Sequence, residues 1–214
     1  MGRRALPKVN PAIDVSQNLF VLEEMTPPFK AENFFENPDA PLQIEIGSGK
    51  GLFINTAAKA CPDQNFVGVE LAKRYAHFAG SRLAKNECSN GIMISGDGLK
   101  FMNEFVGDQV ADAVHVYFPD PWWKERHRKR RVMKESLIKD IERVLKPDGE
   151  LHFWTDVKEY FDSTMELMEE VSKLAGPFDV SVKAPEHDLD YRTHFERRMR
   201  LNDKPVYRSL FKNS

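Results

Sequence analysis

The chain has 214 residues, 41% of them hydrophobic and 30% charged, with a formal net charge of -2. These values fit one sizeable globular domain and exclude a disordered chain. No run approaches the ~20 apolar residues of a membrane span, and no apolar stretch follows Arg3, Arg4 and Lys8 as a secretory leader requires. Cys61 and Cys88 are too few for a disulfide framework and have no metal-ligand spacing, so no metal is expected and the expected compartment is the reducing cytoplasm.

Residues 1–40 carry Pro7, Pro11, Pro27, Pro28 and Pro38 among polar residues. They read as a loosely ordered arm with one short element near Asn18–Glu24. The domain proper, 41–214, opens on a regular alternation. Apolar runs of strand length recur at Leu42–Ile46, Phe66–Glu70, Gly91–Ser95, Ala113–Phe118 and Glu150–Thr155, with helix-length segments between them. Leu137, Ile138, Ile141, Val144 and Leu145 fall at helical spacing, and Pro147-Asp148-Gly149 is a stop signal for that helix. Tyr160, Phe161, Thr164, Leu167, Met168, Val171 and Leu174 predict a second helix. Such alternation gives an α/β fold: a mostly parallel sheet with helices on both faces. Further on, strands at Phe178–Lys183 and Val206–Phe211 flank a short helix near His194–Leu201, which predicts an antiparallel C-terminal edge.

The first domain strand runs into Gly47-Ser48-Gly49-Lys50-Gly51. A strand-to-helix turn uses glycine for positive φ and for close approach of a ligand. A dinucleotide fingerprint needs glycine at position 52, which is Leu52. A phosphate-binding loop needs Ser or Thr after Lys50, which is followed by Gly51. What remains is E-x-G-x-G-x-G, with Glu45 inside the strand. Glu70 ends the second strand, and Asp97 follows the third in a Gly-Asp-Gly turn. Each acid alone could cap the next helix. Three at the ends of successive strands, where open α/β sheets bind ligands, point to a cofactor site.

The fourth strand ends in Pro119-Asp120-Pro121-Trp122-Trp123 and leads directly into KERHRKRRVMK. That run, 124–134, holds seven Lys/Arg residues and His127 against Glu125. A charge run is most often a solvated face, but in a near-neutral chain this one concentrates positive potential. His115 and His152 lie in strand patterns and read as satisfied core histidines.

PDPWW followed by the basic run resembles the hallmark of the tRNA (guanine-N7)-methyltransferases of the bacterial single-chain TrmB type. The glycine motif, Glu70, the Gly-Asp-Gly turn, Thr155-Asp156 and Thr193-His194-Phe195-Glu196 fit the same family in order, from Leu42 to the C-terminus. Trp123 departs from it, since histidine is more usual there. The resemblance implies a Rossmann-like class I methyltransferase fold and the cofactor S-adenosyl-L-methionine. It also implies methylation of guanosine 46 in the tRNA variable loop without an obligatory protein partner. It places Glu45, Gly47, Gly49, Glu70, Asp97 and Asp120 on the cofactor side, with Asp120 as the catalytic residue. Lys124, Asp156, Thr193 and Glu196 would contact the substrate, and Arg126, Arg128, Lys129, Arg130 and Arg131 would hold the tRNA backbone. Thr193-x-x-Glu196 is equally a capping box, and Asp156 with Glu159 could cap the helix that follows. The rival readings are a class I methyltransferase with another acceptor and a non-catalytic RNA-binding protein of the same fold. A dehydrogenase is disfavoured by Leu52.

Overall fold

A computed structural model describes residues 6–181 and 192–214. Among these residues eight strands form one sheet, in the order β1-β4-β3-β2-β5-β6-β8-β7. They are β1 (Leu19–Val21), β2 (Leu42–Ile46), β3 (Asn65–Glu70), β4 (Gly91–Ser95), β5 (Ala111–Tyr117), β6 (Leu145–Thr155), β7 (Ala175–Phe178) and β8 (Tyr207–Lys212). The first six pair in parallel, and β8 runs antiparallel to both β6 and β7. The central strands are buried almost without interruption, because helices cover both faces. These helices are α1 (Leu52–Ala60), α2 (Lys73–Lys85), α3 (Gly98–Lys100, continuing as a π-helical turn to Phe105), α4 (Glu135–Val144), α5 (Lys158–Val171) and α6 (His194–Arg200). The apolar positions of α4, namely Leu137, Ile138, Ile141 and Val144, bury one stripe against the sheet.

From β2 the chain builds outward through β3 and β4 on one side, then returns to build β5 and β6 on the other. The carboxyl end of β2 is therefore the topological switch point, where such sheets form a ligand crevice. No helix among the described residues is long and apolar enough to cross a membrane.

The structure departs from the sequence expectations in three places. Helix α4 ends at Val144 rather than at Pro147: Leu145 already lies on the sheet opposite Ala111, and the Pro-Asp-Gly turn forms a bulge before Glu150 resumes pairing with Ala113. Asp148 takes φ 62° there, and its N–H donates to the Asn213 carbonyl at 2.6 Å. The strand expected from Phe178 instead ends there: β7 spans Ala175–Phe178, with Leu174 buried before it and Ala175 paired with Lys212, and residues 179–181 lie in no strand. Val182 and Lys183 lie outside the described residues. Finally, the short element near Asn18–Glu24 is β1 plus a 3-10 turn (Leu22–Glu24), and it is docked rather than loose. The Asn18 amide donates to the carbonyls of Cys88 (2.9 Å) and Gly91 (2.8 Å), and Leu22 is fully buried.

Candidate active site

The carboxyl end of β2 opens into a loop with three left-handed glycines: Gly47 (φ 79°), Gly49 (φ 55°) and Gly51 (φ 66°). Their reasons differ. A Cβ on Gly47 or Gly49 would meet nothing within 4 Å, so these glycines serve the backbone and leave open space above it. A Cβ on Gly51 would lie 2.5 Å from the Ala79 Cβ, so this glycine lets α1 pack against α2.

Glu70 bridges the two loops at the switch point. Its Oε2 accepts from the Gly49 N–H and its Oε1 from the Ala72 N–H, both at 2.8 Å. Each oxygen keeps a lone pair for a further donor. Glu45, in mid-sheet, is buried, and its Oε2 has no hydrogen-bond partner among the described residues. Burial pushes its carboxyl up to about 8, with the nearby Glu70 charge adding to the shift and the Ser48 hydroxyl opposing it. The unpartnered Oε2 of this buried carboxyl group, beside an open glycine loop, is free to accept a hydrogen bond. Asp97 is exposed after β4 and caps α3 by accepting from the Leu99 N–H at 2.9 Å.

Asp120 stands exposed beyond β5. Two non-glycine residues with left-handed backbone bracket it, Phe118 (φ 49°) and Trp122 (φ 48°). Such conformations concentrate at functional turns. Asp120, Pro121, Trp122, Trp123, Lys124 and His127 line one surface depression of about 420 Å³. The structure thus brings Asp120 and Lys124 together. The basic run continues as a 3-10 turn over Glu125–Arg130, with Arg126, Arg128, Lys129 and Arg130 exposed. Arg130 lies over the Trp122 ring at 5.0 Å.

Arg131 does not share this arrangement. Expected with its neighbours on the RNA-facing surface, it is 8% exposed and turned inward, since Glu159 and Ser163 on α5 and the Pro121 carbonyl take its donors. The capping expectation for Asp156 also gives way. Val157 is the N-cap of α5 with no side-chain cap bond, and Glu159 pairs instead with Arg131 and Arg128. Asp156 sits half-buried at the carboxyl end of β6, next to β5. Thr193 caps α6, its Oγ1 accepting from the Glu196 N–H (3.0 Å), while Glu196 Oε2 reaches back past the cap to accept from the Arg192 N–H (2.8 Å), one residue off a reciprocal capping box. Glu196 is buried and also pairs with Arg208 and Arg200.

His115 is a satisfied core histidine, bonded to Tyr117 (2.8 Å) and Gln43 (2.7 Å) and held well below its usual range by burial. His152 bonds Glu150 at 3.0 Å, but its buried Nδ1 has no partner among the described residues. Sequence reasoning missed Leu71, which is 72% exposed beside Glu70 at the switch point. Its place directly after the strand-end acid was the available signal. It also missed Arg192, whose guanidinium lies 5.6 Å from both the Phe53 and Trp154 ring centroids. Nothing in the local sequence marks that contact.

A relative from Rhodopirellula baltica, named tRNA (guanine-N(7)-)-methyltransferase, is 45% identical over 218 residues, covering 99% of this chain and 80% of its own. The model of a methyltransferase family matches residues 39–209. The chain belongs to the tRNA (guanine-N7)-methyltransferase family. A member from an Exiguobacterium species is 33% identical to this methyltransferase over 79% of each chain. A SAM dependent methyltransferase from Aquifex aeolicus superposes with a TM-score of 0.55 at 10% identity, covering 81% of this chain and 82% of that one. That likeness shows the fold alone, the Rossmann-like fold that the family resemblance implied.

Proposed function

We propose that this methyltransferase transfers a methyl group from S-adenosylmethionine to N7 of a guanine in tRNA, guanosine 46 of the variable loop, as a cytoplasmic enzyme without an obligatory protein partner. The observation that carries the reading is the depression lined by Asp120 and Lys124, which continues into the exposed basic turn. It stands beyond the sheet edge where Glu70 and the glycine loop sit.

The residues present fit the cofactor. Glu45 offers an unpartnered carboxyl oxygen to its amino-acid end, and Gly47 and Gly49 leave room over the backbone. Glu70 would accept from ribose hydroxyls, Asp97 from the adenine amino group, and Leu71 would supply an apolar wall for the base. When bound, S-adenosylmethionine supplies an electrophilic methyl group. Guanine N7 presents a lone pair and carries no proton, so no residue is required as a base. Asp120 instead holds the guanine and stabilises the positive charge that develops on its ring. Lys124, Arg126, Arg128, Lys129 and Arg130 hold the RNA backbone, whose grip offsets the few kcal/mol of exposing a base. Asp156 and Thr193 complete the acceptor side, with Glu196 supporting Thr193 through the cap.

The test is methyl transfer from radiolabelled cofactor to bulk tRNA and to rRNA, followed by mass-spectrometric mapping of the modified nucleotide. The expected product is 7-methylguanosine at position 46 of tRNA. Transfer to rRNA in preference to tRNA would show another acceptor.

A further inference from the structure

The strongest unassigned feature is the inward turn of Arg131. We infer that Arg131 is a positioning residue for the Asp120 loop, acting through the Pro121 carbonyl, and not a phosphate ligand. The inference rests on the functional reading above for the role of Asp120. Each nitrogen of this guanidinium donates to a protein acceptor. Its Nε donates to the Pro121 carbonyl at 2.9 Å, Nη1 donates to Ser163 Oγ at 3.1 Å, and Nη2 donates to Glu159 Oε2 at 2.6 Å. Its Cζ lies 4.5 Å from the centroid of the Tyr160 ring. The same ring's hydroxyl accepts from the Met133 N–H at 3.1 Å, so the chain after the basic turn is tied to α5 as well.

Pro121 is the residue next to Asp120, and its neighbour Trp122 has the left-handed backbone that side chains disfavour. Such a turn keeps its shape only if it is held from outside. On the β5 side the Phe118 N–H donates to the Trp154 carbonyl at 2.7 Å. On the far side the hold is Arg131. A planar guanidinium meets the Pro121 carbonyl and the Glu159 carboxylate with donors on separate nitrogens in a fixed fork, a geometry that the single nitrogen of an ammonium does not reproduce. Glu159 is also 3.4 Å from the exposed Arg128. The clamp on the active-site loop and the RNA-facing turn therefore share one carboxylate. A phosphate that takes Arg128 leaves Glu159 wholly to Arg131, which ties RNA engagement to the set of the loop.

The experiment compares Arg131→Lys and Glu159→Gln with Lys129→Ala in the full chain. Three quantities are read: single-turnover transfer at saturating tRNA, the salt dependence of tRNA binding, and backbone amide exchange over 119–124. Arg131→Lys is expected to slow transfer roughly 10–100-fold, the scale of a displaced reacting group. Its salt slope should match the wild type, and exchange over 119–124 should speed up. Glu159→Gln leaves the buried arginine in place and should also slow transfer without loss of tRNA affinity. Lys129→Ala, which removes one exposed cation of the RNA-facing turn, should lower the slope by roughly 0.7–0.9. The proposal is overturned if Arg131→Lys lowers the slope as Lys129→Ala does while transfer at saturation is unchanged, or if exchange over 119–124 stays at the wild-type rate. Failure of the wild type to methylate tRNA would defeat the functional reading instead, and amide exchange would still decide the role of Arg131.

Discussion

At the scale of single residues, the site is a set of carboxylates in unlike surroundings. Glu45 is buried and raised to about 8 from its ordinary 4.5, whereas Asp120 is exposed. Between those two values the folded protein holds a proton on Glu45 that the unfolded chain has released. The associated stability is thus complete below about 4.5 and is lost as pH rises through about 8. Glu45→Gln removes this dependence. Relative to the wild type it should gain about 3 kcal/mol between pH 6 and pH 9, read from denaturant midpoints at each pH. Parallel pH profiles for the two proteins would show that Glu45 is ionised in the folded state. At Asp120 the expectation concerns rate. Asp120→Asn keeps the shape but removes the charge, so single-turnover transfer at saturating tRNA should fall by roughly 10²–10³. A rate near wild type would make Asp120 a plain turn residue and move the acceptor side towards Asp156.

At the scale of elements, two devices set the site's geometry. Gly51 lets α1 start at the switch point while pressed against α2. In Gly51→Ala the new methyl would lie 2.5 Å from the Ala79 Cβ on backbone of φ 66°. Both strain and overpacking oppose it, so a loss of about 1–3 kcal/mol is expected in urea unfolding. Unaltered stability would mean that α1 can slide outward freely. The second device is the 3-10 turn over Glu125–Arg130, which fans its basic side chains outward. Replacing Arg126, Arg128, Lys129 and Arg130 together with alanine should weaken tRNA binding. The slope of log affinity against log salt should fall by roughly 0.7–0.9 for each phosphate no longer neutralised, with cofactor affinity unchanged. A constant slope would make the turn a solvated surface.

At the scale of the whole molecule, the N-terminal segment is joined to the cofactor edge. Leu22 is fully buried, and a Cβ on Gly96 would come within 2.4 Å of the Leu22 Cβ. Gly96 in turn precedes Asp97. Phe29 packs edge-on against Phe101, and its N–H donates to the Phe105 carbonyl at 2.8 Å. Leu22→Ala should therefore cost about 2–5 kcal/mol. The midpoint of a thermal melt should drop roughly 2–4 °C for each kcal/mol at this chain length. A shift of less than a degree would show that the segment leaves the domain without loss.

The alternating α/β order, the switch-point glycines, the acids at the strand ends and the Asp120–Lys124 motif are all legible in the amino-acid string. Each of these is a local pattern, a period or a spacing within a few residues, and a parallel sheet places such strand ends along one edge. Other features exist only once the chain has folded. Arg131 is one basic residue among many, and it turns inward because Glu159 and Ser163, 28 and 32 residues away, satisfy its donors. Glu45 holds its proton because neighbouring strands and helices exclude water from it. The segment read as a loose arm is docked because Asn18 finds carbonyls 70 and 73 residues distant. In an irregular turn no period fixes where a side chain points, so its direction follows partners that only the folded chain brings near.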